Sequence, residues 1–182
     1  MSPLFAYNLG TALLLSACAV SQRPPNTAFA TGPLELSLQA QADSVYNIVW
    51  LRATFRNPGP EPAWLAHYAD TIEAACTVGQ VLQLAGRTPQ GDLLSVCPRC
   101  RGEAALQPAR IDPGQQRTML VQVDLNRVFP SRFVQAVRSP TQPDCSTYFN
   151  RTTGRYELLL RYQPPQALGT AAVSNTVRIW RK

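Results

Sequence analysis

Lysine and histidine are almost missing from this 182-residue chain, each occurring once, as Lys182 and His67. The net charge of +6 is therefore carried by arginine. No dense basic run occurs, and no basic stretch is interleaved with aromatics, so nucleic acid is excluded as a partner. His67 alternates with apolar neighbours and reads as a satisfied, partly buried side chain rather than a general base. No serine sits in a Gly-x-Ser-x-Gly setting, and Gly86, Gly91 and Gly102 lack the spacing of a phosphate-cradling loop. There is no internal repeat and no low-complexity tract. After the N-terminal segment, no stretch approaches the roughly 20 apolar residues that a membrane helix needs. These absences leave no assigned catalytic residue, no metal and no cofactor.

What is present begins with Leu13-Leu14-Leu15-Ser16-Ala17-Cys18. An apolar segment that ends on small residues just before a cysteine has the layout of an export signal, here without Lys or Arg ahead of its core. Leu15, Ser16, Ala17 and Cys18 resemble the lipobox of bacterial lipoproteins. The resemblance implies a signal peptide over residues 1–17 and a lipid on the Cys18 thiol. It further implies a protein held on a membrane of the bacterial cell envelope, facing the periplasm or exterior. Residues 18–33 contain Pro24-Pro25 and Gly32-Pro33 and read as an extended tether.

Residues 34–182 have a length near the commonest domain size and a strand rhythm. Leu34, Leu36, Leu38 and Ala40 alternate with polar residues, as do Val49, Leu51, Ala53 and Phe55. Asn57-Pro58-Gly59-Pro60 ends the second run, because proline has no N–H for a ladder. Further strands are expected over Ala63 to Tyr68, Val78 to Ala85, Leu93 to Val96, Arg117 to Asp124, Arg155 to Tyr162 and Val173 to Trp180. Asp70 to Ala75 reads as a helical turn capped by Asp70 or Thr71, Gly86 to Gly91 as a loop, and Leu125 to Phe129 as a short helix. Seven to eight short strands broken by Pro and Gly turns, without alternating helices, predict an all-β fold: a single antiparallel β-sandwich.

The closing segment, Gly154 to Leu158 with Tyr162 and then Ser174 to Ile179, resembles the last two strands of immunoglobulin-like and fibronectin type III-like domains. That resemblance implies an Ig-like sandwich in which Tyr156 closes a corner by hydrogen bonding to backbone.

With Cys18 lipidated, Cys76, Cys97, Cys100 and Cys145 form an even set, as expected of disulfides in an exported domain. Their connectivity is open. Cys97-Pro98-Arg99-Cys100 also has the two-residue spacing of thiol–disulfide oxidoreductases, and Arg99 and Arg101 would favour a thiolate. Such enzymes place the motif at the head of a long helix, whereas here Gly102 and then Pro108 follow. Four sulfurs also satisfy tetrahedral zinc, though one CxxC with two isolated cysteines is half of that pattern. Asp70 and Glu73, one helical turn apart, form an acid pair, a cation site or a solvated turn. Trp50, Arg52, Arg56, Trp64 and Tyr68 make a possible binding surface for a protein or glycan of the envelope. The expectation is a non-enzymatic, lipid-anchored binding or assembly module. The alternatives are a thiol–disulfide oxidoreductase using Cys97 and Cys100, and an Ig-like binder of the protease-inhibitor type.

Overall fold

The computed structural model describes residues 34–74, 81–97, 107–137, 148–164 and 171–182. The signal and tether segments, Cys18, Cys76, Cys100 and Cys145 lie outside the described residues. Within them the chain forms β1 (Glu35–Ala40), β2 (Ser44–Val45), β3 (Ile48–Arg56), β4 (Ala63–Tyr68), β5 (Thr71–Glu73), β6 (Leu82–Arg87) and β7 (Leu94–Val96). It continues as β8 (Gln107–Ile111), β9 (Gln116–Asp124), β10 (Val128–Pro130), helix α1 (Ser131–Val137), β11 (Gly154–Tyr162), β12 (Ala172–Val173) and β13 (Val177–Arg181). The fold is all-β, as the alternating sequence predicts.

Two sheets carry it. The first runs β1-β3-β9-β5, and in the second β11 is flanked by β6 on one side and by β12 and β13 on the other, with β2 beyond β13. Period-2 alternation turns Leu36, Leu38, Leu51, Phe55, Val121 and Val123 of the first sheet towards Leu84, Tyr156, Leu158, Leu160 and Ile179 of the second, and all are buried in one core. Each such side chain contributes about 1.5–3 kcal/mol on leaving water. The Phe55 and Tyr162 rings meet edge to face, 5.4 Å between centroids. The Tyr162 hydroxyl accepts from the Ala66 N–H at 2.9 Å. Burial holds its pKa above the ordinary tyrosine value, opposed by that N–H bond.

The structure corrects the sequence reading in several places. Among the described residues the strands number thirteen rather than seven or eight, and two pairings, β5 with β9 and β2 with β13, are parallel rather than antiparallel. Asp70 to Ala75 is not a helical turn at its start. Thr71–Glu73 joins the edge of the first sheet, where the Asp70 carbonyl accepts from Leu120 N–H at 2.8 Å and Ile72 is buried. An unfilled sheet edge and one buried side chain outweigh the local capping preference. The strand expected to end at Ala85 runs on to Arg87, so the loop shortens to the segment after it. Leu125 to Arg127 is a single 3-10 turn, capped by Asp124 accepting from Asn126 N–H, and a true helix follows only at Ser131–Val137.

Two side chains replace backbone where ladders break. Between β12 and β13, Ser174 donates its N–H to the Leu160 carbonyl and accepts the Leu160 N–H on its hydroxyl, both at 2.9 Å. Asn175 then reaches across the sandwich. Its carboxamide accepts from Leu38 N–H at 2.8 Å and donates to the Leu38 carbonyl at 2.9 Å, as a strand neighbour of β1 would.

Tyr156 makes the corner bond expected of it. Its hydroxyl donates to the Thr152 carbonyl at 3.0 Å and accepts from the Asn150 side-chain amide at 2.9 Å. Tyr156 is fully buried. Tyr156→Phe strands the Thr152 carbonyl and half of Asn150 and is expected to cost about 1–2 kcal/mol, read as a lower urea midpoint at unchanged slope.

Candidate functional site at the aromatic and basic end

The last inward-facing position of β13 is an arginine, where the alternation of Val177 and Ile179 calls for another apolar residue. Arg181 is 4% exposed. Its Nε donates to the Tyr46 carbonyl at 3.0 Å, and one terminal nitrogen to the Leu125 and Asn150 carbonyls at 3.2 and 2.8 Å. The other terminal nitrogen donates to the side-chain oxygens of Asn47 and Asn126 at 2.9 and 2.6 Å. All five guanidinium N–H groups are thus satisfied by neutral oxygens. The β2–β3 turn, the 3-10 turn after β9 and the segment entering β11 are pinned around one side chain.

These segments meet at one end of the sandwich. Chain direction identifies the other end. Leu34 leads into β1 beside Arg56, at the far tip of β3, whereas Ile48 at the near tip lies opposite Asp124. All the large exposed apolar residues among those described, Val173 excepted, lie towards the Arg181 end. They include Tyr46 at 71%, Phe149 at 59% and Trp180 at 54% exposure. Cations accompany them: the Arg127 guanidinium lies 4.9 Å from the Phe149 ring centroid, and the Lys182 ammonium 5.8 Å from that of Tyr46. Phe133 stacks on Phe129 at 4.8 Å and meets Tyr148 edge-on at 5.3 Å, carrying the aromatic surface towards α1.

Beside this end, the outer face of the second sheet opens a groove of about 430 Å³. Trp180 stands directly across from Arg155, and Glu157 between Arg178 and Arg87. Glu157 accepts from Arg178 Nε at 3.3 Å, and Arg87 donates to the Gly91 carbonyl at 2.8 Å. Gly154 has φ +120°, and a Cβ there would stand 2.9 Å from the Pro89 ring, so glycine lets the two walls approach.

The surface expected from the sequence is only partly assembled. Trp50, Arg52 and Arg56 share the outer face of the first sheet. Arg56 pairs with Glu35 at 3.4 Å, and Arg52 borders a small hollow with Gln39 and Gln41. Trp64 belongs to the separate β4–β8 pair, opposite Arg110. The Tyr68 hydroxyl is within 2.8 Å of an Asp70 carboxylate oxygen and 3.0 Å of the Thr118 carbonyl. Burial first, then the bond to Asp70 and its negative charge, raise the Tyr68 pKa against the pull of Arg117. Trp180, Tyr46, Phe149 and Arg181 lie outside the surface expected from the sequence. Period-2 placement opposite Ile179 marks Trp180 as exposed, and an arginine in phase with Ile179 marks Arg181 as buried.

Cys97 is fully buried against Phe129 and Val134 and is disulfide-bonded. The other cysteines of the expected zinc or disulfide set lie outside the described residues. Among the described residues, no three His, Cys, Asp or Glu side chains converge as metal ligands, and no helix is long and apolar enough to cross a membrane. His67 lies on β4 with its side chain outside the described part of the structure. The chain matches no protein-family model and no curated protein sequence.

Proposed function

We propose that this protein is a lipid-anchored component of a bacterial envelope, fixed through Cys18, whose Ig-like sandwich is a non-enzymatic binding or assembly module. The observation that carries this reading is the gathering of exposed aromatic residues and cations at the end remote from Leu34. Aromatic residues and arginine are the types enriched where proteins are bound, and a coherent exposed apolar patch marks such a site. An anchor preceding residue 34 would present that end away from the membrane. The remaining cysteines, on this reading, pair as structural disulfides. The burial of Cys97 supports this over thiol–disulfide exchange, because thiolate attack needs an accessible sulfur.

Metabolic labelling with a radioactive fatty acid tests the anchor. The full chain expressed in a bacterial host is expected to take up label and partition with membranes. Cys18→Ser is expected to abolish incorporation. Label retained by Cys18→Ser, or absent from the parent chain, sinks the anchor.

A further inference from the structure

We infer that the groove between Trp180, Arg155 and Arg87 is a binding site for a carboxylate-bearing sugar unit of an acidic polysaccharide. This rests on the binding-module reading of the same end and names its ligand class. The outer face of the second sheet is strongly one-signed. Arg155, Glu157 and Arg161 project from β11, Arg87 from β6 and Arg178 from β13, so a single carboxylate faces four guanidinium groups. That carboxylate is already engaged by Arg178. The side chain of Arg155 makes no ion pair or hydrogen bond among the described residues. Its fork of N–H groups is free to grip a carboxylate through two parallel bonds.

Charge alone would suit any polyanion, but the groove supplies more than charge. Trp180, 54% exposed and the cross-strand partner of Arg155, adds an indole to the lining of the same groove. An aromatic wall packs on the apolar C–H face of a sugar ring, a surface that a flexible acidic peptide lacks. The unshared oxygen of Glu157 is an acceptor for sugar hydroxyls. The volume of about 430 Å³ falls within the range of small-molecule sites.

The test is isothermal titration of the full chain with oligogalacturonate, against a neutral hexose oligomer of equal length and poly-glutamate of equal charge. Oligogalacturonate is expected to bind, the neutral oligomer not, and poly-glutamate at least tenfold more weakly. Trp180→Ala and Arg155→Ala are each expected to weaken oligogalacturonate binding at least tenfold without moving the thermal midpoint. Arg161→Ala, at the other end of the same face, is expected to stay within twofold. Absence of oligogalacturonate binding, equal affinity for poly-glutamate, or an equal loss in Arg161→Ala overturns the assignment. Retention on isolated envelope fragments separates the two levels. If a Tyr46→Ala/Phe149→Ala variant is washed off while oligogalacturonate never binds, the module stands and the sugar site falls. If neither variant pair changes either readout, both fall.

Discussion

Gly86→Ala is expected to destabilise the domain by more than about 4 kcal/mol, a size that single substitutions reach only through a specific structural fault. Gly86 lies in β6 opposite Leu158 at φ +140°, a region of backbone space that side-chain-bearing residues avoid. An added Cβ would stand 1.9 Å from the Glu157 carbonyl oxygen and 3.1 Å from the Leu158 Cα. Neither is the end of a flexible side chain. The β6 and β11 backbones must separate, breaking a ladder that runs from Glu157 to Tyr162. Gly91→Ala provides the contrast. Gly91 also has a left-handed φ, +83°, but nothing lies within 4 Å of its Cβ position, so only backbone strain is added. That change is expected to cost about 1 kcal/mol. Urea unfolding followed by circular dichroism ranks the two, and equal midpoints would show that the β6–β11 contact is not as close as described.

Replacing Arg181 by methionine is the second large effect expected. Methionine fills a similar length with no donor, so three backbone carbonyls and two side-chain amides lose their partner at once. A buried neutral acceptor left without a donor costs about 1–3 kcal/mol, so two such groups beyond the reach of water cost about 2–6 kcal/mol, which in a domain of this size lowers the thermal midpoint by several degrees or more. Lysine supplies three donors on one nitrogen and cannot span the five acceptors, so Arg181→Lys is expected to fall between methionine and the parent. Arg178→Met is the internal control. It removes an exposed bridge to Glu157, with side chains 70% and 33% exposed, and surface pairs of this kind are worth about 0–1 kcal/mol. A drop for Arg181→Met no larger than for Arg178→Met would remove Arg181 as the organiser of that end.

Those two residues also show what was legible in the chain. The long strands β1, β3, β9 and β11 follow from alternation because one face of each is buried, and a one-residue slip would expose every apolar side chain. Tyr156 was legible from its place at the start of β11. The two-residue strands Ser44–Val45 and Ala172–Val173 were not, because two residues carry no period and owe their state to neighbours distant in sequence. Gly86 read as the start of a loop, since nothing local distinguishes a turn glycine from one that admits a crossing backbone. The aromatic and basic end was hidden for a related reason. Tyr46, Phe149 and Trp180 lie 31 or more positions apart and become neighbours only once Arg181 has tied three connections together. Trp50, Arg52 and Arg56 were visible because they sit on one strand.

The path by which the chain enters β1 has a mechanical consequence. Load applied between the segment before Leu34 and a ligand held at the Arg181 end runs along the axis of β1, parallel to β3. Antiparallel hydrogen bonds stand perpendicular to their strands, so the six paired positions from Glu35 to Ala40 are sheared together instead of being unzipped in succession. The Asn175 amide, grasping Leu38 from the opposite layer, adds resistance at the middle of the same strand. A domain loaded in this way yields only at a high force threshold, as the proposed anchor and the proposed ligand would require.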